Sequence, residues 1–256
     1  EAGIGTDSRW KAKAFGLRYD DYTRFTLLGN LNNVNEDRTP GTNGDWSPKK
    51  QPRGQLTTKQ AGLNLNQNNA KKTLSLDQST LLEWSDNDNT SWQRSETFSP
   101  EGNILGGKTS ANHIKGFKLT DETRLDVRAG RSIISTQHYI TYTDRDGTNI
   151  SADSTYRTSL INTDRYISLT ESRNLYGNGA AMWSFRSFGP NSTSIVANYS
   201  SGCPSRDRGH TLRNIRYMNS GTAEGRNDYR DNTSRRYRYN VSLAQGFKIS
   251  PRLSID

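Results

Sequence analysis

The sequence is short of apolar residues. Only 30% of its 256 residues are hydrophobic, and the mean hydropathy is −0.95. No window approaches the roughly 18 apolar residues that a membrane-spanning helix needs. There is also no positively charged start followed by an apolar stretch, as a signal peptide would have. We therefore expect neither a transmembrane helix nor a signal peptide.

Residues that support metal, redox or catalytic chemistry are also scarce. The single cysteine, Cys203, cannot form an internal disulfide, and none of the three histidines has a second histidine or a carboxylate at metal-ligand spacing. The segment 144–149 resembles part of a calcium loop but lacks the third oxygen ligand and the distal glutamate. There is no nucleophile elbow, phosphate loop or His-Glu-x-x-His helix. We predict no metal site, no cofactor and no enzymatic activity.

The formal charge of +9 and the sequence pI near 9.6 are compatible with binding to nucleic acid or anionic lipid. At a nucleic-acid site, basic residues are expected to cluster with stacking aromatic residues. Here the basic residues are spread along the chain, and the densest stretch, 235–239, places its arginines on both faces of a strand. We predict that the protein does not bind nucleic acid.

The sequence does have a period of two residues, in which apolar and polar side chains alternate. The pattern is clearest over 25–32, 61–66 and 237–243. An alternating sheet in water needs a second layer to cover its apolar face, and few apolar residues remain for one. In a membrane barrel, lipid covers the outside and water fills the inside. We predict an all-β fold, an antiparallel meander of about ten long strands that forms part of a transmembrane β-barrel.

Turn-forming residues divide the alternating segments into strands. The predicted strands are 9–19, 22–33, 57–67, 72–84, 109–119, 123–142, 174–187, 192–200, 235–248 and 252–256. Short reversals are predicted at 20–21, 68–69, 120–122, 189–191 and 250–251, and long polar loops over 35–55, 86–112, 144–173 and 200–234. Short turns on one rim and long loops on the other are typical of outer-membrane barrels. Because the pattern runs to both ends, we expect one barrel segment over residues 1–256 that belongs to a longer chain.

Alternation also predicts which side chains face lipid. These are Phe15, Leu17, Tyr19, Phe25, Leu27, Leu31, Ala61, Leu63, Leu65, Leu74, Leu76, Leu82, Trp84, Phe117, Leu119, Leu125, Val127, Ala129, Ala181, Trp183, Phe185, Ile195, Ala197, Tyr199, Tyr237, Tyr239, Val241 and Leu243. Aromatic residues near strand ends suit the lipid–water interface, although they would also suit the core of a soluble sandwich. The same side carries Lys11 and Lys13, which fit at an extracellular rim, and Gln78, which the pattern does not explain.

Four segments resemble a known family. The stretch 22–35, which ends Gly-Asn-Leu-Asn-Asn-Val-Asn, resembles a strand-and-loop block of TonB-dependent receptor-like outer-membrane β-barrel proteins of the Bacteroides type. The segments 57–64, 96–98 and 119–125 are similar to a re-entry strand, a loop block and a hairpin turn of that family, in the family's order. The resemblance implies a barrel of about 22 strands with an N-terminal plug, of which this chain would supply less than half the wall.

The resemblance implies a function as well. We expect a segment of a TonB-dependent receptor or transporter in the bacterial outer membrane, which takes up an unidentified nutrient ligand. Its expected partners are membrane lipid, a surface lipoprotein and an inner-membrane energy-coupling protein that acts through a plug domain missing from this sequence. A soluble, secreted β-rich binding or adhesion module is the alternative. Trp46, Trp92 and Tyr142 are predicted to contact ligand from the loops, since exposed aromatic residues often anchor ligands.

Overall fold

A computed structural model describes residues 1–40, 46–48, 53–186, 192–201, 205–250 and 253–255. Every regular element among these residues is a β-strand. The strands are β1 Ala2–Ile4, β2 Trp10–Tyr19, β3 Thr23–Asn32, β4 Arg38–Pro40, β5 Trp46–Pro48, β6 Gln55–Asn68, β7 Leu74–Thr97, β8 Ile104–Ala129, β9 Ser132–Tyr156, β10 Leu160–Arg186, β11 Ser192–Ser201, β12 Ser205–Tyr217, β13 Ala223–Ser234, β14 Tyr237–Ser250 and β15 Leu253–Ile255.

One 13-stranded antiparallel sheet contains all of these strands except β4 and β5, which form a separate hairpin. Its main path runs β1-β2-β3-β6-β7-β8-β9-β10-β11-β14-β15. Strand β10 pairs with β11 along one half and with β12 along the other, and β13 continues the sheet beyond β12. The structure confirms the all-β antiparallel meander. The sheet is open, with β1 and β15 at its two ends.

Two predicted reversals are confirmed. The first lies between Tyr19, where β2 ends, and Thr23, where β3 begins. The carboxylate of Asp20 accepts hydrogen bonds from the backbone N–H groups of Tyr22 at 2.9 Å and Thr23 at 2.7 Å, and these bonds lower the pKa of Asp20. The second reversal, at 68–69, lies where β6 gives way to β7.

The reversal predicted at 120–122 is wrong, because these residues lie inside β8 and pair with both β7 and β9. Strand β8 turns instead at Gly130, whose φ of +59° favours glycine because it has no Cβ to clash with the backbone. The reversal at 189–191 and Pro251, in the last reversal, lie outside the described residues.

Three of the predicted long loops are also wrong. The ranges 86–112, 144–173 and 200–234 are occupied mainly by strands β7 to β10, β12 and β13. Polar side chains do not prevent this, because the ladder hydrogen bonds join backbone groups, and opposite charges on neighbouring strands add to it. Among the described residues, the connections left between these strands are short: 98–103, 157–159 and 218–222.

The register places the predicted lipid-facing residues of seven strands on one side of the sheet. These strands are β3, β6, β7, β8, β10, β11 and β14. Leu27 is paired with Leu63, for example, and Trp183 with Ile195, and directly paired residues point to the same side. We call this side the Leu27 face and the other side, which carries Asn30, the Asn30 face.

Strand β2 does not follow the predicted pattern. Tyr19 pairs with Arg24 across the first turn, so odd-numbered residues of β2 share a face with even-numbered residues of β3. The prediction that Phe15, Leu17 and Tyr19 lie beside the apolar residues of β3 is therefore wrong, and they lie on the Asn30 face. A shift of one residue in pairing exchanges the two faces of a strand, and alternation within one strand cannot reveal it.

No second layer covers the Leu27 face in the described part of the chain. Leu27 is 50% exposed, Trp183 is 46% exposed and Val241 is 71% exposed. The few fully buried side chains lie elsewhere, on the Asn30 face of β3 and β6, and the largest of them are polar. The apolar residues that alternate along the strands therefore do not meet in a shared core.

Candidate functional site

The most buried side chains among the described residues form a polar cluster on the Asn30 face. Asn30, Asn32, Thr58 and Gln60 are each at most 2% exposed. Segment 33–40, which follows β3, folds back over them and hydrogen-bonds to Asn30, Asn32 and Gln60, whereas the Thr58 hydroxyl has no hydrogen-bond partner within the described ranges. Alternation predicts these residues on the polar face of their strands, and the fold of segment 33–40 buries them.

Asn32 fixes the path of this segment. Its Oδ1 atom accepts hydrogen bonds from the backbone N–H groups of Val34 at 3.2 Å and Glu36 at 3.1 Å, and its Nδ2 atom donates to the Glu36 carbonyl at 2.7 Å. Nδ2 also donates to Oδ1 of Asn30 at 3.1 Å, and Asn30 donates to Oε1 of Gln60 at 2.9 Å. Because buried polar groups are costly to leave unpaired, this network specifies one position for the segment.

Gln60 links the network to two carboxylates. Its Nε2 atom lies 3.0 Å from Oδ1 of Asp37, 2.8 Å from Oε2 of Glu83 and 2.9 Å from the carbonyl oxygen of Arg38. An amide group has two hydrogens, so it satisfies at most two of these three acceptors at once. Gln60 therefore connects segment 33–40 to Glu83 of β7.

Two cations neutralise Glu36 in the segment. Lys13 Nζ and Arg38 Nε each lie 2.5 Å from Oε1 of Glu36. Burial by itself raises the pKa of Glu36, but the hydrogen bonds and charges of Lys13 and Arg38 outweigh burial, and the pKa is lowered. Lys11 pairs with Glu1 on the same face. The two lysines thus lie on the Asn30 face, where they form ion pairs.

An open cavity of about 540 Å³ adjoins this network. Its lining residues include Lys13, Arg38, Asn30, Phe15 and Glu1. Because Lys13 and Arg38 already pair with Glu36, the lining carries little net charge, and a polar lining beside an aromatic residue suits a neutral ligand with hydroxyl groups.

The predicted ligand contacts lie elsewhere. Trp92 is within β7 rather than in a loop; it is 63% exposed, and the guanidinium of Arg94 lies 4.9 Å from its ring centre. Tyr142 is within β9, level with Leu82 of β7, which puts it about 33 Å from Trp92 along the strands. The structure therefore does not bring Trp92 and Tyr142 together. Trp46 lies in β5, and its side chain is outside the described part of the structure.

A band of apolar residues crosses the Leu27 face; we call it the apolar band. On β7 it runs from Leu74 to Trp84, and the ten steps between these residues, at about 3.3 Å each, give a length of roughly 33 Å along the strand. At its upper edge the ring of Trp84 lies 4.9 Å from that of Phe117, which lies 6.1 Å from that of Tyr142. Charged residues follow directly on this face: Asp86, Lys115, Asp146, Glu171 and Arg208.

One polar cluster interrupts the apolar band at mid-height. The hydroxyl of Thr80 donates to Oδ1 of Asp121 at 2.5 Å, and the hydroxyl of Thr123 donates to Oδ2 at 3.1 Å. Nε2 of Gln78 lies 3.5 Å from Oδ1 of the same carboxylate. The sequence pattern does not explain Gln78. In the structure its side chain lies beside the carboxylate of Asp121 on the neighbouring strand.

A group of potential metal ligands also emerges from the fold. Asp86, Asp88 and His113 offer one ligand atom each within 4.8 Å of one another, on the Leu27 face just above the apolar band. The sequence prediction missed this group because His113 comes from a neighbouring strand, 25 residues from Asp88. Only the pairing of β7 with β8 brings the three together.

The described residues include no helix with the length and hydropathy to span a membrane. No protein-family model matches the chain, and a search of curated proteins finds no match either.

Proposed function

We propose that this chain is a wall segment of an outer-membrane β-barrel of the TonB-dependent receptor type, which takes up a ligand across the bacterial outer membrane. One observation supports the proposal above all: the register gathers the apolar residues of seven strands on a single uncovered face. A patch of that size exposed to water is unusual for a soluble protein, whereas lipid accommodates it. At the tilt of about 45° that strands of such barrels have, the band's length of roughly 33 Å spans roughly 23 Å, close to their apolar height of about 25 Å.

The opposite face supports a route for a polar ligand. The Asn30 face is lined largely by Asn, Ser, Thr and charged side chains, and segment 33–40 is held against it by buried hydrogen bonds. In this proposal, ligand passes along the Asn30 face and contacts the cavity beside Lys13 and Arg38. The proposal also includes energy coupling through a plug domain and capture of the ligand by a surface lipoprotein. These two parts are supported by the sequence resemblance alone.

Quenching of tryptophan fluorescence by brominated lipid tests the proposal. Full-chain variants keep Trp183, Trp84 or Trp92, with the other tryptophans replaced by Phe, and are reconstituted into phosphatidylcholine vesicles brominated on the acyl chains. We expect strong quenching of Trp183 and Trp84, which lie in the apolar band, and weak quenching of Trp92, which lies beyond the charged residues. Equal quenching of all three, or of none, would contradict the proposal and favour the soluble secreted binding or adhesion module.

A further inference from the structure

Asp86, Asp88 and His113 stand together where the apolar band ends and the charged residues begin. Asp88 is the direct register partner of His113, and Asp86 lies two residues before Asp88 on the same face. Side chains at these positions converge because paired residues and their i, i+2 neighbours lie side by side on a sheet. The side chain of Asp88 is 67% exposed, so the group is open to solvent and to an incoming ion.

The imidazole of His113 is held in an orientation that suits a metal ligand. Its Nδ1 atom lies 2.5 Å from Oδ1 of Asp88, and its Nε2 atom lies 3.6 Å from Oδ1 of Asp86. A carboxylate on one ring nitrogen keeps the proton there and leaves the lone pair of the other nitrogen for a metal. Two ligand atoms on a tetrahedral Zn²⁺ are about 3.4 Å apart, because each bond is about 2.1 Å long. The separation of Nε2 and the Asp86 oxygen is close to that value.

Asp86 provides a second, independent observation. Its Oδ1 atom is shielded from solvent and accepts no hydrogen bond, although the side chain as a whole is 41% exposed. The nearest cation, Lys115, lies 3.8 Å from the other oxygen, Oδ2. A shielded carboxylate oxygen without a partner is unfavourable, and a bound cation would satisfy it.

We propose that Asp86 Oδ1 and His113 Nε2 bind Zn²⁺ at the edge of the apolar band, with Asp88 orienting the imidazole and water completing the coordination. A mixed imidazole–carboxylate set favours Zn²⁺ over Ca²⁺ and Mg²⁺, which prefer oxygen ligands alone. The site is independent of the proposed transport function, because it needs only the pairing of β7 with β8.

Histidine NMR of the full chain tests this site directly. The protein has three histidines, so ¹³C labelling of their rings gives three signals. On titration with Zn²⁺ we expect the His113 signal to shift, while the signals of His138 and His210 stay in place and Mg²⁺ shifts none of them. The His113→Ala variant identifies the signal and should lose the binding measured by calorimetry.

Two further variants separate the roles of the carboxylates. Asp86→Asn should weaken Zn²⁺ binding about tenfold or more, and Asp88→Asn about 10–100-fold, the usual effect of removing a partner that orients a metal-binding histidine. His210→Ala is the matched control. His210 lies on the same face and level with His113, but its Nε2 atom is 2.8 Å from the amide oxygen of Asn227 instead of a carboxylate. We expect that variant to bind Zn²⁺ with unchanged affinity.

Three results would overturn the proposal. One is that no histidine signal moves with Zn²⁺, and another is that His210 moves as far as His113. The third is that the His113→Ala variant retains the affinity of the parent chain. Brominated-lipid quenching can succeed or fail whatever the outcome of the Zn²⁺ titration, so a failure of one proposal is not confused with a failure of the other.

Discussion

Each of the strands β7 to β10 has two halves. Both halves form the same backbone hydrogen bonds with their neighbours, but their side chains differ in polarity. The halves that form the apolar band are 74–84, 117–129, 132–142 and 175–185, and their Leu27 face is mostly apolar. The charged halves are 86–97, 104–115, 144–156 and 160–173, and both of their faces are largely polar. In β9, for example, Asp144, Arg145 and Asp146 follow one another along the strand.

The comparison shows that regular pairing does not require an apolar face. In the charged halves, backbone hydrogen bonds and cross-strand ion pairs such as Arg173 with Asp144, at 3.3 Å, take the place of apolar contacts. These exposed pairs each contribute little and are screened by salt. We therefore expect the two halves of one strand to respond differently to introduced charge, salt and pH.

The largest difference should come from a charge placed in the apolar band. Leu63 lies at mid-height, paired with Thr80, and we expect Leu63→Arg to lower the free energy of unfolding by about 2–4 kcal/mol in lipid vesicles. The matched control is Ile150→Arg, on the same face in the charged half, with an expected cost of about 0–1 kcal/mol. Urea titration followed by fluorescence measures both values. Equal costs would mean that the band does not contact lipid.

A smaller loss is expected when the buried amide network is broken. Asn32→Ala removes the side-chain partners of Val34 and Glu36 and should cost about 1–3 kcal/mol. It should also release segment 33–40, which hydrogen exchange of its peptides would show as faster exchange. Asn64→Ala, on the same face of β6, is the control and should leave the segment protected. Protection that survives Asn32→Ala would show that other contacts hold the segment.

Acidification should release the same segment without a mutation. Burial favours a higher pKa for Glu36, but the hydrogen bonds of Lys13 and Arg38 outweigh burial and lower it below the ordinary 4.5. A group with a lowered pKa stabilises the fold above its unfolded-state pKa, and this stability is lost as pH falls through the folded-state value. We expect protection of 33–40 at neutral pH and its loss below 4.5, after correction for intrinsic exchange rates. Glu36→Gln should remove this transition.

The smallest expected effect concerns salt and the charged halves. Arg213 lies 2.6 Å from Asp164, and a double-mutant cycle with alanine at both positions should give a coupling of about 0.2–1 kcal/mol. About 1 M salt should reduce this coupling, since the Debye length is then about 3 Å. The control is the same cycle on Leu82 and Leu119, which are paired in the apolar band. The coupling between these two residues should not weaken with salt. A salt-independent Arg213–Asp164 coupling would contradict the comparison.

Alternation predicted the fold class and most of the strands that are apolar on one face, although the predicted strand 123–142 runs through the turn at Gly130. It placed Leu27, Leu63 and Val241 on one face, and the register confirms that arrangement. It failed for 86–112, 144–173 and 200–234, because strands that are polar on both faces have no period to detect. It also assigned the residues of β2 to the wrong face of the sheet. The face on which a residue lies depends on how its strand pairs with the next strand across the turn.

The candidate site was less predictable than the fold. Trp92 and Tyr142 were chosen as loop aromatics, and both proved to lie within strands. The buried amides Asn32 and Gln60 lie in strands that alternation predicted, but nothing in the pattern indicates that they are covered. Their burial depends on a segment that returns to the sheet after β3, and that return is decided by hydrogen bonds between residues up to 25 positions apart.

The sequence by itself determined that the chain forms antiparallel strands and which residues of most strands share a side, because side chains alternate with a fixed period of two. Only the tertiary structure decided how far the strands extend and which residues of β2 lie on the Asn30 face. It also decided that Asp86, Asp88 and His113 lie close together. Those outcomes depend on how neighbouring strands pair, which is set across turns and between distant segments, and the alternation within one strand does not reveal it.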